Sequence, residues 1–316
     1  MLRFLVGRLA GAAVVLALVA VLVFALTRLA SGDPMALLLG DQATAADIAQ
    51  ARVQYGLDKP LLTQFTLWLG ELAHGNLGQS IFLQRPVAQA LLERAEPTLF
   101  LALFAVGIAA LIGIPCGMAA AIWRGSAADQ AVSSVAMLGA SVPSFWLGLI
   151  LIQLFAVHLG WFPASGYGDP GMGLGARLYH LALPATVLGL LNSALIIRFT
   201  RASMLDILGE DYVRTARAKG LPERVVMVKH VLRNALVPII TVIGLTVALM
   251  IGGTVVTETV FNLPGVGNLV VRAVLRRDYP VIQGTLLVIA AIYVFINLLI
   301  DLLYTLVDPR IRLEAQ

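Results

Sequence analysis

The sequence predicts an all-α, polytopic membrane protein with six transmembrane helices. Three observations predict it. Hydrophobic residues make up 59% of the chain and charged residues 13%, against about 45–50% and about 25% in soluble globular proteins. Apolar runs recur at the length a helix needs to cross hydrocarbon, about 20 residues at about 1.5 Å each. The basic residues flank these runs, as topology-setting charges do.

The first run, Leu9 to Leu29, follows Arg3 and Arg8. It is longer than the roughly 7–15 apolar residues of a signal peptide, and no small-x-small cleavage site follows at Leu29-Ala30-Ser31, so residues 1–30 are expected to stay as a first span. Ser31 to Pro97 is polar, with Asp33, Asp41, Asp47, Asp58, Glu71, Glu93 and Glu96. Ala45 to Arg52 and Leu61 to Leu72 pattern as short amphipathic helices with turns at Gly56, Pro60 and Gly75, which predicts a small helical cap over residues 31–97. The remaining spans are expected at Leu99 to Trp123, Val132 to Leu159, Leu181 to Ile197, Leu236 to Thr257 and Thr285 to Val307, a five-helix core over 98–307 followed by a tail, 308–316.

Counted on alternate sides, thirteen Lys and Arg fall with the two termini and the loop between the fourth and fifth spans, and eight fall with the cap. The richer side is cytoplasmic by the positive-inside rule. This accounts for the net charge of +4 without nucleic acid. Cys116 is the sole cysteine, which leaves no disulfide framework and no Cys-rich metal site. Gly113 and Gly117 have the spacing for close helix approach around Pro115.

Ionisable residues inside spans mark ion routes by default. They are few: Asp301, with Tyr304 a turn further on, and Arg28 and His158 near span ends. Asp301 is expected to pair with a basic group near the cytoplasmic surface, a proton relay being the alternative. Among uncharged polar residues, Asn192, Ser193, Thr246 and Thr254 are the pore candidates, because their spans flank the charged loop.

That loop holds Arg198, Arg201, Arg214, Arg217, Lys219, Arg224, Lys229 and Arg233. Asp206 to Lys219 reads as a helix that meets Gly220, and Pro222 starts a second. Leu205, Leu208 and Tyr212 are expected on one face of the first, and Val225, Val228, Val231 and Leu232 in a stripe on the second, leaving Arg224, Lys229 and Arg233 outward. Beyond the fifth span, Asn262-Leu263-Pro264-Gly265-Val266-Gly267 cannot continue a helix, and Asn268 to Arg277 reads as a short amphipathic one.

Tyr212-Val213-Arg214-Thr215-Ala216-Arg217-Ala218-Lys219-Gly220-Leu221, followed by Lys229 to Pro238, resembles the EAA loop of ABC importer permeases. Tyr55 to Leu61, Ser141 to Gly148, Glu258 to Gly267, Arg277 to Ile282 and Asp308-Pro309-Arg310 are similar, in order, to the branch that imports peptides, glutathione and nickel. The sequence departs from the general pattern at Arg214, where a glutamate is usual, at Thr215 in place of alanine, and at Pro238, which comes later.

The resemblance implies a MetI-like permease core in a bacterial inner membrane, transporting a small peptide or peptide-like solute. It implies that the loop at 199–235 docks on cytoplasmic ATPase subunits through Glu210, Asp211, Tyr212, Arg214, Thr215, Ala216, Arg217, Lys219, Gly220 and Leu221. It places Asn262, Pro264, Gly265 and Gly267 near the outer gate or a binding-protein contact. The implied partners are a second homologous permease subunit, two ATPase subunits, an extracytoplasmic solute-binding protein and membrane lipid. ATP and Mg would sit on the ATPases, since no G-x-x-x-x-G-K-[ST] loop occurs here. No cofactor or catalytic residue is expected in this chain. Neither H-E-x-x-H nor G-x-S-x-G occurs. An ion-coupled secondary transporter and an importer of a nickel chelate or glutathione remain the alternatives.

Overall fold

The computed structural model describes residues 2–29, 33–40, 43–169, 171 and 173–307, and their side chains except at 2–5, 251 and 301–307. The side chains of Asp301 and Tyr304, and the tail 308–316, lie outside the described part. Among the described residues the chain is helical, with one isolated antiparallel bridge between Gln79 and Pro86.

The helices are α1 (Leu2–Leu29), α2 (Pro34–Leu39), α3 (Ala45–Gln54), α4 (Leu61–Ala73), α5 (Val87–Ile122), α6 (Ala127–Ser141), α7 (Ser144–Leu151), α8 (Leu174–Leu208), α9 (Asp211–Ala218), α10 (Glu223–Val225), α11 (Arg233–Val260), α12 (Val266–Arg276) and α13 (Tyr279–Val307). Two π-helical stretches, Ile152–His158 and Val226–Leu232, continue α7 and join α10 to α11. Among the described residues, five helical stretches are long and apolar enough to cross a membrane, beginning at Val6, Val87, Leu174, Glu223 and Tyr279. Several overrun their expected bounds. The 35 residues of α8 extend about 50 Å at about 1.5 Å per residue, well beyond a hydrocarbon core of about 30 Å.

The expected third span, Val132 to Leu159, is not one straight helix. It is the pair α6 and α7 with its π-helical continuation, bent by 100°. Pro143 is the cause: it holds Val142 in an extended conformation (φ −80°, ψ 129°) and itself serves as the N-cap of α7, because proline disfavours the helical region for the residue before it.

The chain forms two compact units. One comprises Met1–Glu96 and Pro264–Phe295, the other Pro97–Leu263 and Ile296–Gln316. In the first, Val87, Ala90, Leu91, Leu269, Ala273 and Val281 form a core. The amphipathic patterns of the cap appear as α3 and α4, with Gly56 and Gly75 at positive φ. The Asp278 carboxylate, 2% exposed, latches a turn of this unit by accepting from Ser80 Oγ at 2.5 Å and from the Ile81 and Phe82 N–H groups at 3.2 and 3.3 Å.

In the second unit, Leu101, Leu181, Val187, Met250, Phe261 and Leu263 belong to one buried cluster. Helices α5 and α8 cross closely, as the glycine spacing predicts. A Cβ on Gly113 would fall 2.6 Å from Ile196 Cβ, and one on Gly117 would fall 2.6 Å from the Ile197 carbonyl oxygen.

Candidate functional site

The loop between α8 and α11 is a two-sided structure. Val213 and Ala216, three residues apart on α9, turn inward and join Val226, Met227, Val231 and Ala235 in a cluster with Met204, Ala121 and Ile239. The outer side carries Arg214, Arg217, Lys219, Arg224, Lys229 and Arg233, all exposed, with Asp211 and Thr215 beside them. Burial of the small apolar underside against α5, α8 and α11 is what orders so charged a segment.

Asp206 to Lys219 is not one helix: α8 ends at Leu208, and Gly209 and an extended Glu210 (φ −72°, ψ 144°) separate it from α9. Tyr212 therefore leaves the face of Leu205 and Leu208. It is exposed, and its hydroxyl accepts from Asn234 Nδ2 at 3.1 Å. The second stripe also shifts. Val225 and Val228 are exposed while Val226, Met227 and Val231 are buried, because the π-helical stretch widens the turn and moves the inward phase off the 3.6-residue rhythm.

The elbow lies where the glycine predicts it. Gly220 has φ +77°. Its N–H donates to the Arg217 carbonyl at 2.9 Å and the Leu221 N–H to the Ala216 carbonyl at 3.4 Å, the paired bonds of a Schellman helix end. Across it, Arg217 Nη2 and Nε donate to Glu223 Oε1 and Oε2 at 2.7 and 3.2 Å, so both carboxylate oxygens are engaged. Glu223 holds the Arg217 guanidinium still further above its ordinary range. The side chains are 41% and 55% exposed, so solvent screens much of the attraction.

A second ion pair escaped sequence reading. Arg201 Nε and Nη2, on α8, donate to Asp129 Oδ1 and Oδ2, on α6, at 2.7 and 2.8 Å. The Asp129 side chain is 6% exposed and also accepts from the Gly125 N–H at 2.9 Å. Its available signal was an acid inside the first turn of an apolar helix, behind the N-cap Ser126. Its distant partner had none. Glu258 was likewise missed as a buried group: wholly buried near the end of α11, it accepts from the Thr98 hydroxyl at 2.7 Å.

The four pore candidates do not share a surface. Thr246 and Thr254 are wholly buried and Ser193 is nearly so, while Asn192 is half-buried. Asn192, Ser193 and Thr246 return hydrogen bonds to their own helices, at Leu188, Leu190 and Val242. Ser193 also lines, with Cys116 and Trp146, a cavity of about 460 Å³ with apolar walls beside the bent helix pair. Of the other candidates, Asn262 is exposed at φ +48° just past α11, and Pro264 is exposed. Gly265 is the N-cap of α12, and Gly267 is buried within it.

Residues 113–313 match the family described as "Binding-protein-dependent transport system inner membrane component", and residues 1–102 match its N-terminal companion. The chain belongs to this family. Over 309 residues it is 45% identical to the "Probable peptide ABC transporter permease protein y4tP" of Sinorhizobium fredii, covering 98% of this chain and 99% of that one. Over 312 residues it is 42% identical to the "Glutathione transport system permease protein GsiC" of Escherichia coli, covering 99% of each. Among solved structures, one of the "Inward facing conformations of the MetNI methionine ABC transporter" superposes with a TM-score of 0.58 at 19% identity, covering 70% of this chain and 97% of that one. That likeness speaks to the fold.

Proposed function

We propose that this ABC importer permease subunit forms half of a pathway for a small peptide or peptide-like solute, and that the loop at 199–235 receives the movement of two cytoplasmic ATPase subunits. The observation that carries the proposal is the loop's two-sided build. An exposed rim of Asp211, Arg214, Arg217 and Lys219 overlies a core, Val213, Ala216 and Val226 among it, shared with Met118 and Ile239 of α5 and α11. A push on the rim therefore reaches spanning helices through packed side chains, which respond by discrete rearrangement.

The solute class rests on the full-length relatives, named for peptide and glutathione transport. The basic loop and both termini lie on the cytoplasmic side in this reading, with segment 31–97 outside. The second half of the pathway is a homologous permease in a heterodimer, and an extracytoplasmic binding protein delivers the solute near Asn262 and Pro264. ATP and Mg belong to the ATPases.

Gly220→Val tests the coupling role. Nothing lies within 4 Å of a Cβ built at Gly220, yet its φ is +77°, which a β-branched residue adopts only with strain. The variant is expected to reach the membrane at parental level, to lose ATPase subunits on gentle purification and to lose solute uptake. Gly220→Asn, which tolerates this region, is expected to keep both. Parental uptake by the valine variant would defeat the coupling assignment.

A further inference from the structure

We propose that a pocket at the C-terminal end of α1 binds the phosphate of a phospholipid headgroup. The pocket lies within the first unit and has a volume of about 400 Å³. Among the described residues, Arg28 and Lys59 line it and no carboxylate does. An anion is therefore the complementary ligand.

Two buried polar atoms of its lining, one on Arg28 and one on Gln64, have no hydrogen-bond partner among the described residues. The Arg28 guanidinium lies 5.4 Å from the ring centroids of both Phe24 and Tyr279. Its buried Nε has no hydrogen-bond partner among the described residues. The Gln64 amide nitrogen donates to the Lys59 and Leu57 carbonyls at 2.7 and 3.3 Å. That assigns the other amide atom as oxygen, and this Oε1 is buried without a partner. A buried donor and a buried acceptor left unmatched are each costly. A headgroup whose phosphate faces Arg28 and Lys59, and whose hydroxyl or ammonium reaches Gln64, satisfies both.

The surroundings select a lipid over a free anion. Arg28 falls in the last turn of the apolar span α1. Beside it Phe24, Phe65 and Trp68 form an aromatic cluster with centroid separations of 5.1, 5.6 and 6.2 Å, side chains typical of the bilayer interface. Leu22, Leu26 and Leu29 on α1, and Leu61 and Leu62 on α4, are exposed. Acyl chains need such an apolar skirt, and inorganic phosphate does not.

The test uses the full-length chain, purified in detergent and delipidated, with adducts counted by native mass spectrometry. Phosphatidylglycerol is titrated first, then inorganic phosphate alone. One phosphatidylglycerol is expected to bind more tightly than the rest. Arg28→Gln with Lys59→Gln should weaken that site by at least about tenfold, the scale of a lost charge-assisted hydrogen bond. Arg28→Lys should recover part of the loss, and Arg85→Gln, whose parent pairs with Glu93 elsewhere, should change nothing. Circular dichroism and elution position check the fold of each variant. If the double variant is misfolded, Lys59→Gln alone, at an exposed position, must still weaken binding several-fold. Equal lipid binding by folded variants overturns the proposal, and so does displacement of the lipid by equimolar inorganic phosphate, which would make this a free-anion site.

Discussion

At Gly220 and at Asn262 the chain leaves a helix by the same route. Each residue has positive φ, +77° and +48°. In each case the next N–H reaches back five residues, from Leu221 to the Ala216 carbonyl and from Leu263 to the Glu258 carbonyl. The surroundings differ. Asn262 stands between Phe261 and Leu263, each 1% exposed and both in the main cluster of their unit. Gly220 stands between exposed Lys219 and Leu221, and its flanks are tied by the Arg217–Glu223 ion pair. One backbone motif thus makes a fixed corner where its neighbours are packed and an accessible elbow where they are solvated. Packing is worth several kcal/mol per large side chain and a surface ion pair about 1 or less. The elbow is therefore the corner that another protein can deform.

Truncating the packed corner should have the largest effect. Phe261→Ala is expected to cost about 3–5 kcal/mol, read as a lower denaturation midpoint of the purified chain in micelles. A loss near that of a surface substitution would show that the corner is not held by packing.

Next comes Arg201→Met, which strands the buried Asp129 carboxylate. The variant should lower the denaturation midpoint by less than Phe261→Ala, because Arg201 is 30% exposed and water reaches the pair, and Asp129→Asn made in the same background should restore part of the loss. A double variant no better than the single one would remove the ion pair from the account of how α6 is held to α8.

Gly220→Val should cost less in stability, about 1–2 kcal/mol for a side chain forced into the left-handed region, while abolishing uptake. That split between small destabilisation and lost coupling is the sharpest contrast with Phe261→Ala. The smallest effect is expected from Glu223→Gln, under about 1 kcal/mol and fading as salt is raised. A large, salt-independent loss would mean that the elbow is braced by something other than this pair.

Most spans, the cap helices α3 and α4 and the elbow were legible in the sequence because each depends on neighbours in the chain: apolar runs, amphipathic patterns bounded by Gly56 and Gly75, and a glycine ending α9. The family resemblance was legible for a related reason, since short motifs in order survive as strings. Less was legible where spacing had to predict a face. The stripe Val225, Val228, Val231 and Leu232 follows a 3.6-residue period; Val231 is buried as expected, but the chain takes a π-helical turn there that buries Val226 and Met227 in place of Val225 and Val228.

By itself, then, the sequence determined that this chain is helical, that it crosses a membrane, and that its most charged loop turns at Gly220, because hydropathy, proline and glycine act through the local backbone. The tertiary structure alone decided that Arg201 finds Asp129 across 72 positions, and that Ser193, Thr246 and Thr254 are buried in the chain. It also decided that Arg28 and Gln64 line one pocket. These outcomes depend on which helices pack together, and burial, ion pairing and shared cavities are properties of three-dimensional neighbours that no local pattern encodes.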